Sequence, residues 1–538
     1  MRALLIFNRE RCLACWACEL ACSVAHSRSG QLETAIAEEF PPKRRVTVAA
    51  GKDGIDALRC EQCAEPLCAF SCKSGALHRD PISGWIALEE SRCVGCFMCM
   101  MVCPHGIRPD PATDRVVRCD VCLGREIPAC VAACPTGALA TGAPPDRPAR
   151  SEFKGHVVVV GSSAAGIAAC EAAREYAPEC SITLVTADAS PQYSRPLLSY
   201  VLAGRIGRPA IYWPESDLTI RVLNARRATG LESNRLLLDN GTTLTFDRLI
   251  LATGARGAEI SIPGADLAGV HTLRNLEDLE EIEREAGPGR RAVVLGGGNV
   301  GLQTCEALLA RGLTVTVVVT SPQLLSQMVD AEAGRRIADL FIRHGLDVRT
   351  GRDAVEITGD GHVEGVRLDD GELIGADLVI VGKGIKPNVE WLRGSGVRVA
   401  RGIVVDLCGR TSVPGIFAAG DCAEAIDPLT GRSAVSGIWP VAYEMGRAAG
   451  AAAVGVERPS AGALRMNASR FFGEPIISIG EVCPERLEGA SAEVLVNREG
   501  VYRKLVYHQG RLAGALLYGD ISGAGSFYRL YRESASAP

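Results

Sequence analysis

The chain has 538 residues, too long for one core and long enough for several domains. Hydrophobic residues make up 47% of it and glycines number 59, as suits a well-cored α/β protein with many strand-to-helix turns. A formal charge of −5 is small for this length and argues against nucleic acid or anionic lipid as partners; Lys43-Arg44-Arg45 reads as a solvated loop.

Sixteen of the 22 cysteines lie in the first 134 residues, in four groups of four. They are Cys12-Cys15-Cys18-Cys22, Cys60-Cys63-Cys68-Cys72, Cys93-Cys96-Cys99-Cys103 and Cys119-Cys122-Cys130-Cys134. The first and third groups have the C-x2-C-x2-C-x3-C spacing of bacterial 4Fe–4S ligands, and the others only lengthen the gap before the third cysteine. Three thiolates on a tight loop grip three corners of a cubane, and the fourth points to a neighbouring cluster, so sixteen ligands imply four clusters. Structural zinc prefers C-x2-C pairs with a longer spacer, and disulfides belong to oxidising compartments. The N-terminus shows no apolar h-region or cleavage site, and no stretch approaches the ~20 apolar residues of a membrane span. The expected location is therefore a reducing cytoplasm. Leu13, Trp16, Val94, Phe97 and Met98, between the cysteines, are expected to wall the clusters from water.

The region repeats internally. Arg11-Cys-Leu-Ala-Cys-Trp-Ala-Cys parallels Arg92-Cys-Val-Gly-Cys-Phe-Met-Cys, and Cys72-Lys-Ser-Gly-Ala-Leu77 parallels Cys134-Pro-Thr-Gly-Ala-Leu139. Residues 1–140 thus resemble the duplicated, ferredoxin-like four-cluster subunits of carbon monoxide dehydrogenase, formate dehydrogenase, hydrogenase and molybdenum or tungsten aldehyde oxidoreductase systems. That resemblance implies a ligand pairing. Cys12, Cys15, Cys18 and Cys134 would form one set, and Cys119, Cys122, Cys130 and Cys22 a second. Cys60, Cys63, Cys68 and Cys103 would form a third, and Cys93, Cys96, Cys99 and Cys72 a fourth. Lys73 stands where the family favours proline.

Residues 141–153, rich in proline, read as a linker. After it, His156–Val160 is a short β-branched strand, followed by Gly161-Ser-Ser-Ala-Ala-Gly166 and an alanine-rich helix. This is G-x-G-x-x-G with Ser163 at the second glycine; Gly161, Ser163, Ala164, Ala165 and Gly166 would face a pyrophosphate, and Asp188 a ribose hydroxyl. A second unit has the strand Arg291–Leu295 and the loop Gly296-Gly-Gly-Asn-Val-Gly301, with Gly296, Gly298, Asn299, Val300 and Gly301 as ligands. Two such fingerprints in one chain imply two nucleotides close together. The acidic or arginine residue that would select NAD or NADP is absent, with Val319 at that place.

Further segments resemble the pyridine-nucleotide flavoprotein reductases, in the rubredoxin-reductase and nitrite-reductase branches. They are Ala252-Thr253-Gly254-Ala-Arg256, Gly420-Asp421, Tyr193-Ser-Arg195-Pro196, Gly382-Lys-Gly-Ile-Lys-Pro-Asn388 and Trp439-Pro440. The resemblance implies FAD held by these residues and Ala228, NAD(P) near Gly382, and Arg195 tuning the flavin. It also implies doubly wound FAD-binding segments at 154–274 and 384–455 around an NAD(P) domain at 275–383, with a small α+β domain at 456–538 that is a candidate homo-oligomer interface. No cysteine lies between Cys180 and Cys305, so redox-active thiols at the flavin are not expected.

Fe–S clusters move single electrons, a nicotinamide exchanges a hydride, and a flavin handles both. The expected function is electron exchange between NAD(P)(H) and a redox enzyme docked at the cysteine region, of carbon monoxide dehydrogenase, aldehyde oxidoreductase, formate dehydrogenase or hydrogenase type, in the direction of NAD+ reduction. Two alternatives stay open: a scaffold subunit with a vestigial nucleotide site, and an NAD(P)H-dependent reductase of a small acceptor.

Overall fold

A computed structural model describes residues 4–39, 43–51, 54–80, 83–110, 112–122, 124–142, 150–213 and 219–536. Residues 143–149, the middle of the expected linker, lie outside the described residues. The chain divides into two compact units: residues 1–149 with 521–533, and residues 150–520 with 534–538. Among the described residues, no helix is long and apolar enough to cross a membrane.

Apart from the helices Ala17–Ala25 and Ala524–Ser536, the first unit is built of short hairpins and helices of about one turn, because the cysteine loops interrupt regular structure. Its two ends are joined by an antiparallel pair, Leu4–Phe7 against Leu139–Gly142, with Phe7 opposite Leu139. That pairing lays the first cysteine group beside the last. The helix Ala17–Ala25 packs on Ala129–Ala132, and Leu67–Phe70 packs on Met98–Val102. Outer groups therefore meet outer, and inner groups meet inner. Residues 521–533, including most of the C-terminal helix Ala524–Ser536, belong to this unit.

The second unit carries two five-stranded parallel sheets of matching order. One runs Arg221–Leu223, Ser181–Val185, His156–Val160, Arg248–Leu251 and Ile416–Ala418. The other runs Asp347–Thr350, Thr314–Val319, Arg291–Leu295, Leu378–Val381 and Val270–His271. Their central strands, Val157 to Val159 and Val293 to Leu295, are fully buried, as parallel sheets covered on both faces require. In the first sheet the helix Ala164–Tyr176 packs against Trp439–Ala453 at glycines. A Cβ on Gly446 would fall 2.2 Å from the Ala165 carbonyl oxygen, and one on Gly450 would fall 2.3 Å from that of Ala169. The alanine-rich sequence is thus a close-packing surface. A five-stranded antiparallel sheet over residues 466–518 completes the unit.

In the first unit, a Cβ on Gly525 of the C-terminal helix would fall 2.0 Å from the carbonyl oxygen of Cys103. Overpacking of a close contact costs about 1–3 kcal/mol. Gly525→Val should therefore loosen this helix from the first unit, seen as faster hydrogen exchange over residues 521–533 and lower iron retention on gel filtration.

Candidate functional site

In each cysteine group, the residue two places after the first cysteine has left-handed backbone: Ala14 (φ 50°), Gln62 (φ 49°), Gly95 (φ 63°) and Val121 (φ 58°). Three of the four are not glycine, at a cost of about 1–2 kcal/mol each for an L-residue. Trp16 and Phe97, each just before a helix, share the twist with φ of 56° and 59°. Four cysteine loops share one turn, which curls each loop around whatever its sulfurs hold. The duplication shows in the hydrogen bonds too: Leu77 N donates to Cys72 Sγ at 3.2 Å, and Leu139 N to Cys134 Sγ at 3.5 Å.

The sulfurs gather in four sets. One cavity is lined by Cys12, Cys15, Cys18 and Cys134, and another by Cys72, Cys93, Cys96 and Cys99. Burial pushes the Cys68 thiol well up, and nearby Cys103, Cys60 and Cys63 push it further. Cys130 is raised in the same way, by burial and then by Cys119, Cys22 and Cys122. Burial likewise lifts Cys18 and Cys103 to about 11 and Cys119 to about 12. Such thiols are thiolates only when a cation neutralises them, so the donor sets fit soft iron. All 22 cysteines are free of disulfides.

One expectation needs correction. Phe97 and Met98 are buried at 6% and 8% exposure, but their counterparts in the first group are open, Leu13 at 68% and Trp16 at 57%. Val94 is half-buried and Cys15 is exposed. The third group is walled from water and the first is not.

In the second unit the two glycine loops are near copies. Gly161 has φ 110°, and a Cβ there would fall 2.0 Å from the Ala252 carbonyl oxygen; one on Gly166 would fall 1.7 Å from that of Gly161. In the other loop, a Cβ on Gly296 (φ 123°) would fall 2.5 Å from the Gly382 carbonyl oxygen, and one on Gly301 2.1 Å from that of Gly296. Each loop lies against the residue just past the neighbouring parallel strand, Ala252 after Arg248–Leu251 and Gly382 after Leu378–Val381, and runs into a helix that begins at Ala164 or Asn299. Gly298 has nothing within 4 Å of a notional Cβ, leaving an open cradle at the helix start. Ser163 fills that place in the first loop and makes no side-chain cap.

Around the first loop, Asp188 accepts from Arg195 Nη2 at 2.7 Å. Arg195 Nη1 also donates to the Tyr193 hydroxyl at 2.8 Å and to the Arg274 carbonyl at 3.2 Å. Burial holds the Tyr193 phenol up at about 12, so it stays protonated. Arg274 in turn donates to Asp421 at 2.5 Å. Two linked acid–base pairs therefore lie beside the first loop, and Arg274 is a member the motifs did not reveal. Thr253 is tied to the Asn388 loop, its hydroxyl donating to the Asn388 carbonyl at 2.9 Å. Ala228 is buried on the strand Ala228–Glu232, and Pro196 lies in the turn Arg195–Leu197. Arg256 pairs with Glu390 at 2.6 Å, both partly exposed. Such a pair holds by no more than about 1 kcal/mol against a competing ligand.

Trp439 opens its helix and stacks on Trp213, with centroids 5.6 Å apart and planes at 11°. Both indole N–H groups are buried and without a protein partner, as is the Ser194 hydroxyl. Unmet donors beside the Tyr193-to-Pro196 segment suit a polar ligand such as a flavin ring system. Trp213 carried no motif, and only its aromaticity could have flagged it.

At the second loop, the Asn299 carboxamide oxygen accepts from Ser469 Oγ at 2.6 Å, and Val300 is 51% exposed. Val319 is buried, with a methyl 2.7 Å from a notional Cβ on Gly297. Nearby cations are engaged: Arg352 with Asp370 at 3.0 Å, and Lys383 with Asp353.

Residues 155–446 match the family described as pyridine nucleotide-disulphide oxidoreductase, residues 54–144 a 4Fe-4S dicluster domain, and residues 466–535 the rubredoxin NAD+ reductase C-terminal domain. The chain is 31% identical over 390 residues to "Nitrite reductase [NAD(P)H]" of Bacillus subtilis (strain 168), covering 71% of this chain and 48% of that protein, so it spans about half of that relative's length. It is 35% identical over 331 residues to "NADH-dependent phenylglyoxylate dehydrogenase subunit epsilon" of Aromatoleum evansii, covering 60% of this chain and 78% of that one. Among solved structures, putidaredoxin reductase in its covalent complex with putidaredoxin superposes with a TM-score of 0.66 at 26% identity, over 72% of this chain and 94% of that one. With more than half its length matched, the chain belongs to the pyridine nucleotide-disulphide oxidoreductase family, preceded by a 4Fe-4S dicluster domain and followed by a rubredoxin-reductase-type C-terminal domain.

Proposed function

We propose that this chain is the iron–sulfur flavoprotein subunit of a larger redox enzyme and passes that enzyme's electrons to NAD+. The observation that carries the proposal is the presence, in one polypeptide, of four thiol sets and two glycine-loop nucleotide folds. When bound, 4Fe–4S clusters pass single electrons, and FAD converts them to the two-electron currency of a nicotinamide. The chain's own residues hold and orient: the sixteen cysteines as cluster ligands, Gly161 to Gly166 with Asp421 on FAD, and Gly296 to Gly301 with Gly382 on the nucleotide. Arg195 and Arg274 keep positive charge beside the first loop, with Asp188 and Asp421 fixing their direction. No side chain has to act as acid, base or nucleophile for hydride transfer, in keeping with the six remaining cysteines being buried.

The name of the Aromatoleum relative, an NADH-dependent dehydrogenase subunit, supports a dehydrogenase as donor and NAD+ as acceptor. Donors of carbon monoxide dehydrogenase, aldehyde oxidoreductase, formate dehydrogenase or hydrogenase type have the same low-potential chemistry. Val319 favours a second reading, a scaffold subunit whose nucleotide site no longer binds.

Chain purified anaerobically should carry about 16 iron atoms for four cubanes and one FAD, and NADH should bleach the flavin in stopped flow. A flavin that neither NADH nor NADPH bleaches would establish the scaffold reading. Gly298→Ala places a methyl in the open cradle without touching the fold. It should raise the KM for nicotinamide at least tenfold while flavin content and melting temperature hold, and an unchanged KM would remove that loop from nucleotide binding. Removing FAD should quench electron flow from NADH to an artificial one-electron acceptor by more than 90%, a dominance expected because hydride transfer has no other acceptor here.

A further inference from the structure

Every cysteine group is preceded directly by an arginine: Arg11, Arg59, Arg92 and Arg118. Three of them serve the backbone. Arg92 Nε donates to the Ser74 carbonyl at 3.1 Å, and the Arg11 guanidinium lies over Gly137, 3.4 Å from a notional Cβ. Each thus lies against the stretch just after the cysteine that completes its own set, Cys72 or Cys134. Arg59 donates to the carbonyls of Leu5 and Ala57, both at 3.0 Å, and meets Glu61 at 3.3 Å.

Arg118 differs. It is 4% exposed, and its Nη2 donates to Cys60 Sγ at 3.3 Å. Among the described residues no carboxylate pairs with it. Its negative surroundings are Cys60, Cys68 and Cys119. Cys60 and Cys68 belong to one set and Cys119 to another, so this guanidinium stands between two sets. A buried cation without a counter-charge costs several kcal/mol. Among the described residues the counter-charge at hand is the sulfur of the two sets, and a guanidinium keeps its proton throughout.

We infer that Arg118 is the shared counter-charge of two neighbouring iron–sulfur centres, the Cys60-Cys63-Cys68-Cys103 set and the Cys119-Cys122-Cys130-Cys22 set, and raises the reduction potentials of both by favouring their more negative reduced states. The inference rests on the four-set ligation proposed above. Arg118 is a positioning residue: it acts on the potentials and takes no part in hydride transfer.

The test is an EPR-monitored redox titration of the full chain, purified anaerobically, as wild type, Arg118→Lys and Arg118→Met, with iron determined on each. Arg118→Met should move two of the four centres to lower potential and leave the other two in place, and Arg118→Lys, which keeps the charge, should move the same two by less. Potentials unchanged in both variants at full iron content would overturn the inference, and so would an equal shift of all four centres. If Arg118→Met fails to load iron, Arg118→Lys decides, because a shift confined to two centres supports the inference and none overturns it. Wild-type chain without iron would overturn the ligation itself, a result distinct from unmoved potentials at loaded centres.

Discussion

The cost of ionising buried thiols is the constraint on which the first unit depends. Its hydrophobic cluster consists of Leu5, Val46, Val48, Ala57 and Leu139 together with Cys18, Cys22, Cys119 and Cys130, so much of the core is itself ligand. Apolar burial alone offers such a unit little, and the left-handed turns at Ala14, Gln62 and Val121 each subtract about 1–2 kcal/mol. Both costs are offset when a cation binds the sulfurs, which makes cofactor loading and folding one equilibrium in this region.

The second unit is governed by the opposite circumstance, the absence of side chains. In each nucleotide fold a carbonyl just past the neighbouring parallel strand presses on the first glycine, and that glycine's own carbonyl presses on the last. These contacts leave no room for a methyl group, so the glycines are fixed by packing whatever the ligand. Differences between the two folds fall at positions that packing leaves free. Ser163 stands where Gly298 does, and Thr186, two residues before Asp188, where Val319 does. Asp188 is held by Arg195, whereas Val319 closes down on Gly297. The two halves keep a common frame and diverge where they would meet their nucleotides.

Much of this was legible in the sequence, because the requirements are local. Cysteine spacing and glycine loops act over a few residues, and the parallel strands announce themselves as short β-branched runs. Fold class followed from those two signals. What escaped depended on distant partners. Internal repetition implied equal surroundings for Trp16 and Phe97, but burial is set by what packs above each loop, and only Phe97 is covered. Arg274 and Trp213 belong to no motif and gain meaning only when Asp421 and Trp439 arrive beside them. The C-terminal segment read only as part of a small α+β domain at 456–538, and the grouping of residues 521–533 with the cysteine unit was not legible, since no local pattern names a distant neighbour.

Duplication supplies four sites that are alike in sequence, and an electron relay needs sites that are unlike in energy. Packing makes the distinction without altering the ligand type. The set that includes Cys15 borders solvent, and the set that includes Cys99 lies under Phe97, Met98 and Met101. A centre near water has its charge screened, whereas one in a low-dielectric interior feels each neighbouring charge more strongly. The same arginine position, occupied in all four groups, therefore has unequal consequences. At exposed Arg11 solvent weakens the charge, whereas buried Arg118, in contact with the Cys60 sulfur, is screened far less.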